Sequence, residues 1–159
     1  MFIGKVDDMH LTRFSDLGLR LVLRLGEYTK NLAVEPGRRS TVANLAADIN
    51  GSEAHVARVV AKLAELGIAR SVRGRVGGVY LDEAAYTMTV GQILRLLEGP
   101  GEVINCAECP FASRDCLLRH RLAAAKEAFF ASMDDLTVAD LLRDNETKTL
   151  VALGMPITT

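Results

Sequence analysis

Residues 41–81 read TVANLAADINGSEAHVARVVAKLAELGIARSVRGRVGGVYL. Ser40 or Thr41 can open a short helix over Val42–Ile49, whose Val42, Leu45, Ala46 and Ile49 recur at three- and four-residue intervals. Asn50-Gly51 ends that helix. Ser52 can cap a second one that turns Val56, Val59, Val60, Leu63 and Leu66 inward, with Gly67 as its stop. Two helices joined by a tight turn, the second amphipathic, outline a helix-turn-helix. Ile68–Val72 and Val79–Leu81 then read as short strands joined by Arg73-Gly74-Arg75-Val76-Gly77-Gly78, whose glycines suit a hairpin tip. A helix-turn-helix followed directly by a basic hairpin predicts a winged helix.

Outward from this stretch the pattern is helical. Phe14, Leu17, Leu19, Leu21, Val22, Leu23 and Leu25 form a wide apolar stripe over Thr12–Tyr28, with Thr12 or Ser15 as the cap. Residues 31–39, with Pro36 and Gly37, read as a turn. Thr89 can cap a helix over Val90–Glu98 that buries Val90, Ile93, Leu94 and Leu97. Gly99-Pro100-Gly101 breaks the chain, and a longer helix is expected over Arg114–Ser132. Its Leu118, Leu122, Ala125, Phe129 and Met133 make a seam suited to a partner helix. A last short helix is expected around Val138–Leu142. The fold class is therefore mainly α with one small β-hairpin. Its expected parts are a winged-helix unit over 1–98 with an extension at 1–8, a cysteine loop over 99–117, a dimerisation helix and terminal helix over 114–144, and a tail over 145–159.

With 159 residues, 49% of them hydrophobic and 25% charged, the chain is long enough to bury a real core, and its composition excludes disorder. No apolar run approaches the roughly 18 to 20 residues that span a bilayer, so the expectation is a cytoplasmic protein without membrane contact. The formal net charge of -1 excludes a polycationic nucleic-acid coat. A local basic patch remains compatible with it. Residues 1–98 hold 13 basic and 11 acidic side chains, and the remainder 6 and 9, so positive charge gathers in the half that holds the helix-turn-helix.

On the second helix of that motif, Ser52, Glu53, His55, Arg58, Lys62 and Glu65 face away from the core. Side chains near the start of a recognition helix reach base edges, which singles out Ser52, His55 and Arg58. The Arg58 fork can bind a guanine edge with two bonds. Arg70, Arg73 and Arg75 on the hairpin suit phosphates or a narrow minor groove. Solvated faces of ordinary helices are the plain alternative for any one of these charges, but the ordered combination points to double-stranded DNA.

All three cysteines fall within eleven residues, as Cys106-x2-Cys109-x6-Cys116. Three cannot form a disulfide framework, and the βαβ context of a thiol enzyme using Cys106 and Cys109 is not found. Clustered thiolates suit zinc or the irons of an iron-sulfur cluster. Three ligands leave one position open. His120, one turn beyond Cys116, would complete a structural Cys3His zinc site. A carboxylate from elsewhere would instead leave a cluster with one weaker ligand.

The sequence resembles the Rrf2 family of bacterial winged-helix repressors. The residues that carry the resemblance begin with Met9-His10-Leu11-Thr12-Arg13-Phe14-Ser15-Asp16-Leu17-Gly18-Leu19-Arg20 and continue with His55-Val56-Ala57-Arg58, Leu63 and Leu66-Gly67. They extend through Arg73-Gly74-Arg75-Val76-Gly77-Gly78, Cys109-Pro110, Ala128-Phe129-Phe130 and Leu136-Thr137-Val138-Ala139-Asp140-Leu141. The match runs over about residues 9–144 in one order. The resemblance implies a homodimer built on the long C-terminal helix, a pseudo-palindromic operator, and an iron-sulfur cluster held by the three cysteines, 4Fe-4S favoured over 2Fe-2S. Asp16 and Arg20 look like the nitric-oxide-sensing branch, in which the fourth ligand is an aspartate from the first helix of the other protomer, here Asp16, with the arginine matching Arg20 nearby. It implies a transcriptional regulator, not an enzyme, whose signal is nitric oxide or else iron, cluster supply or redox state.

Overall fold

A computed structural model describes residues 11–30, 37–75, 77–111, 113 and 115–144. Residues 1–10, which include the expected extension at 1–8, most of the turn at 31–39, Val76, Ala112, Arg114 and the tail at 145–159 lie outside the described residues. The elements are α1 (Arg13–Thr29), α2 (Val42–Asp48), α3 (Glu53–Glu65), β1 (Ala69–Val72), β2 (Gly78–Leu81), a 3-10 turn (Glu83–Thr87), α4 (Val90–Glu98) and α5 (Leu117–Ala131), followed by helical backbone over 138–144.

Capping chemistry fixes the helix starts. The Thr12, Thr41, Ser52 and Thr89 hydroxyls accept the backbone N–H three residues on, and Thr89 with Gln92 closes a reciprocal capping box. Thr12 is thus the α1 cap, and Ser15 is buried one turn inside. Between α2 and α3 the chain reverses at Asn50, whose φ of 53° is left-handed, a conformation asparagine tolerates better than most residues. Two of the boundaries that differ from expectation bear on the core and the cysteine loop. Ile68 precedes β1 and is fully buried, and α5 begins at Leu117, with Cys116 as its N-terminal flanking residue. The Cys116 side chain makes no capping bond, so the cysteine loop runs straight into the helix.

One core joins α1, α2, α3 and the hairpin. Leu21, Leu25, Leu45, Val56, Leu63, Ile68 and Leu81 are essentially inaccessible within it, and complete burial stabilises by about 1.5–3 kcal/mol for each large aliphatic side chain. The strands pair antiparallel, Ala69 opposite Leu81 and Val72 opposite Gly78. A second, smaller cluster of Val90, Leu94 and Phe130 seats α5 on α4, with Met133 and Leu141 packed against it. That contact is close enough to require Gly91, since a Cβ there would lie 2.4 Å from the Phe130 carbonyl oxygen. Beyond α5 the chain returns, with Val90 N donating to Leu136 O at 2.8 Å and Val138 N to Met88 O at 3.0 Å. The winged helix and the C-terminal helices are thereby stitched at the start of α4.

Candidate nucleic-acid interface and cysteine loop

The recognition face of α3 is as its periodicity implies. Val56, Val59, Val60 and Leu63 are buried, while Ser52, Glu53, His55, Arg58 and Glu65 are exposed and Lys62 is partly so. Ser52 Oγ accepts from the His55 amide as the helix cap and sits 3.0 Å from His55 Nδ1. The Ser52 hydroxyl is therefore engaged within the helix terminus. Arg58 has no carboxylate partner among the described residues. Lys62, by contrast, is 2.7 Å from Glu65 and is neutralised locally.

The wing turns at Gly74, whose φ of 111° is open to glycine and strained for other residues. Arg73 and Arg75 flank it and are exposed. Arg70 lies over the Tyr80 ring at 5.6 Å, a cation–π contact across the two strands. β2 is held from its other edge, where Val79 N donates to Ser40 O at 2.9 Å. The segment ahead of α2, read from sequence only as a turn and cap, is thus a third support for the wing.

Sequence reasoning also missed the polar hub that anchors α2. Asp48, at the last position of α2, accepts from Arg24 Nε at 2.8 Å, Tyr28 Oη at 2.8 Å and Arg38 Nη2 at 2.7 Å. Burial alone would push the Asp48 carboxyl up, but the hydrogen bonds from Arg24 and Tyr28 and the two guanidinium charges prevail and hold it below its ordinary value. Burial, together with the same contact, pushes the Tyr28 phenol up. A carboxylate at a helix C-terminus opposes the macrodipole. That local conflict was the signal available in the sequence.

The three cysteines are free thiols of intermediate exposure in the irregular segment that follows Gly99-Pro100-Gly101. Lys126 Nζ binds the carbonyls of Gly99 and Gly101 at 3.1 and 2.8 Å, pinning the base of the loop to α5. Arg119 on α5 pairs with Glu102. Glu102 also accepts from the Cys106 thiol, which holds the carboxyl low and pushes the thiol up. Cys106 must shed that proton to act as a ligand. Among the described residues no three His, Cys, Asp or Glu side chains converge closely enough to hold a metal ion. The donor chemistry nevertheless fits an iron-sulfur cluster: three accessible thiols lie on one irregular segment, and gathering them would be coupled to binding.

Asp16 and Arg20 lie on the exposed side of α1, one turn apart, with Arg20 Nε 2.9 Å from Asp16 Oδ1. Within one chain Asp16 is not brought to the cysteines by any described contact. His120 is exposed in the first turn of α5, its amide donating to Cys116 O at 3.2 Å. Of the expected helix seam, Leu118 and Phe129 are exposed at 59% and 39%, whereas Met133 turns inward onto Val90 and Leu94. Phe130, which the seam did not include, is the one buried side chain of α5. A hub joins α5 to α4: Arg95 Nη1 and Nη2 bind Asp134 at 2.7 and 2.8 Å, and Arg95 Nε binds Glu127 at 2.9 Å. These bonds hold both carboxyls below their ordinary range. Among the described residues, no helix is long and apolar enough to cross a membrane.

Comparison with known proteins matches residues 11–144 to the Rrf2 family, described as an iron-dependent transcriptional regulator. The HTH-type transcriptional repressor NsrR of Streptomyces coelicolor is 37% identical over 138 residues, covering 84% of this chain and 88% of that protein. Among solved structures, IscR of T. potens superposes with a TM-score of 0.66 at 21% identity, covering 89% of this chain and 91% of that one, a likeness of fold. CymR of Staphylococcus aureus superposes with a TM-score of 0.58 at 26% identity, covering 82% and 96%. With a helix-turn-helix, an arginine-tipped wing and a long C-terminal helix in the same order, the chain belongs to the Rrf2 family of winged-helix transcriptional regulators.

Proposed function

We propose that this regulator is a homodimeric repressor that binds a pseudo-palindromic operator and loses affinity for it when nitric oxide reacts with an iron-sulfur cluster. Cys106, Cys109 and Cys116 would hold the cluster, completed by Asp16 of the partner subunit. A 4Fe-4S form is favoured over 2Fe-2S. The observation that carries the reading is the continuity of the cysteine loop with α5: Cys116 is the residue from which the helix starts, and that helix carries exposed Leu117, Leu118 and Phe129. A ligand site at the root of a dimer helix is placed to alter the spacing of two recognition helices. The 37% identity to the NsrR repressor supports the same reading.

The cluster supplies iron that reacts with nitric oxide, and a carboxylate-ligated iron is more exchangeable than one with four thiolates. This chain's residues do the rest. Arg95, with Asp134 and Glu127, ties the far end of α5 to α4, and α4 follows the wing, so a shift at the root of α5 would be carried along the helix to the DNA-binding unit. His55 and Arg58 would read bases, Ser52 would border them at the helix start, and Arg73 and Arg75 would bind phosphate. A coupling of only ~1–3 kcal/mol between cluster state and operator affinity suffices for regulation.

Iron, sulfide and zinc analysis of anaerobically prepared protein tests the ligand set. The expected result is iron and sulfide in the wild type and their loss in Cys106→Ser, Cys109→Ser and Cys116→Ser. A colourless protein with stoichiometric zinc that is lost in His120→Ala would contradict it, and would establish the Cys3His site for which the one-turn spacing of Cys116 and His120 provides. A cluster that persists unchanged under nitric oxide would make iron, cluster supply or redox state the signal.

A further inference from the structure

Arg39 has no role in the interface described so far. It is exposed, and its Nη1 donates to the backbone carbonyl of Arg75 at 3.3 Å. Its own backbone is fixed. Thr41 N and Asn44 Nδ2 donate to Arg39 O at 2.9 and 2.8 Å, and the next residue, Ser40, accepts from Val79. Gly78 lies so near that a Cβ there would come within 2.6 Å of Ser40 Oγ. The guanidinium is thereby carried to the wing tip, beside the backbone that bears Arg73 and Arg75.

Several of the chain's other arginines are matched with carboxylates, although Arg58 on α3, among the described residues, is not. Arg20 pairs with Asp16, Arg24 and Arg38 with Asp48, Arg95 with Asp134, and Arg119 with Glu102. Arg39, Arg73 and Arg75 have no carboxylate partner among the described residues. Like charges gathered at one tip repel each other and add nothing to folding, so the arrangement is accounted for by an external polyanion. A guanidinium carries five N–H donors, and one bond to the Arg75 carbonyl leaves the others for phosphate oxygens.

We propose that Arg39 is a third phosphate-binding residue of the wing, so that the wing grips DNA with Arg39, Arg73 and Arg75 drawn from two separate segments of chain. This rests on the reading of the wing as a DNA contact. The bond to Arg75 would keep Arg39 on the duplex side of the tip and limit the side-chain entropy lost on binding.

Fluorescence anisotropy over a salt series tests it, using the full-length protein and a labelled duplex that the wild type selects from a random library. Each phosphate contact contributes about 0.9 to the slope of log affinity against log salt. Arg39→Gln should lower that slope by about one and weaken binding evenly across sequences, while Arg39→Lys keeps the slope. In an Arg73→Gln/Arg75→Gln background, Arg39→Gln should lower it by about one again. If Arg39→Gln has no effect in that background, Arg39 only braces the wing and the proposal is overturned. If the wild type selects no duplex, the DNA-binding reading itself fails, and this inference with it.

Discussion

Arg20 Nε donates to Asp16 Oδ1 at 2.9 Å on the exposed side of α1, with the two side chains about half exposed. The carboxylate proposed as the fourth ligand in the partner's site is therefore oriented by an arginine before any partner arrives. An exposed pair one turn apart is worth only about 0.3–0.5 kcal/mol to folding, so stability is a weak reason for it. Arg20→Ala should change the melting temperature little and accelerate cluster loss in air, measured as decay of visible absorbance. Asp16→Ala should alter the spectrum while leaving a folded dimer. An unchanged spectrum in Asp16→Ala would refute the ligand assignment.

Asp48→Asn should destabilise the protein by about 2–4 kcal/mol in urea unfolding at neutral pH, because two guanidiniums lose their common carboxylate. The pH dependence has a definite sign. A carboxyl held below its ordinary value gives its full stabilisation above the usual carboxylate range, and that is lost as pH falls through the depressed native value. The wild type should therefore lose stability on acidification more steeply than Asp48→Asn over that window.

Base reading and phosphate binding separate by their signatures. Arg58→Ala should cost about 1–3 kcal/mol on the preferred duplex and flatten the preference between sequences. Arg73→Gln and Arg75→Gln should weaken all duplexes alike and reduce the salt slope. Ser52→Ala combines two effects, since the hydroxyl also caps α3, and about 1 kcal/mol of folding stability should be lost with it.

Leu118→Glu or Phe129→Glu should shift sedimentation from dimer to monomer with the helical circular dichroism signal largely retained. Both side chains are exposed in the single chain, so folding of the chain itself does not depend on burying them. Persistence of the dimer in both variants would place the subunit interface elsewhere.

The winged helix was legible because its signals are local. Thr12, Ser52 and Thr89 cap the helices they were expected to open, and the glycines between the two short strand-like runs located the hairpin within one residue at each strand start. Contacts distant in sequence carried no such signal. The bond from Val79 to Ser40 and the Arg24, Arg38 and Asp48 hub depend on how elements pack, which periodicity leaves open. In the cysteine region, spacing identified the ligand types and His120 as a neighbour of Cys116. It could not reveal that Glu102, itself paired with Arg119, accepts from the Cys106 thiol, nor that Met133 faces inward while Phe129 faces out.

Cluster control of DNA binding is tested most directly by operator affinity measured anaerobically, on cluster-loaded protein, before and after a nitric-oxide donor, with the visible spectrum followed in the same cuvette. Bleaching or shift of the cluster absorbance together with at least a fivefold loss of affinity, absent in Cys106→Ser, is the predicted result, corresponding to ~1 kcal/mol of coupling. Unchanged affinity despite a changed spectrum would contradict it.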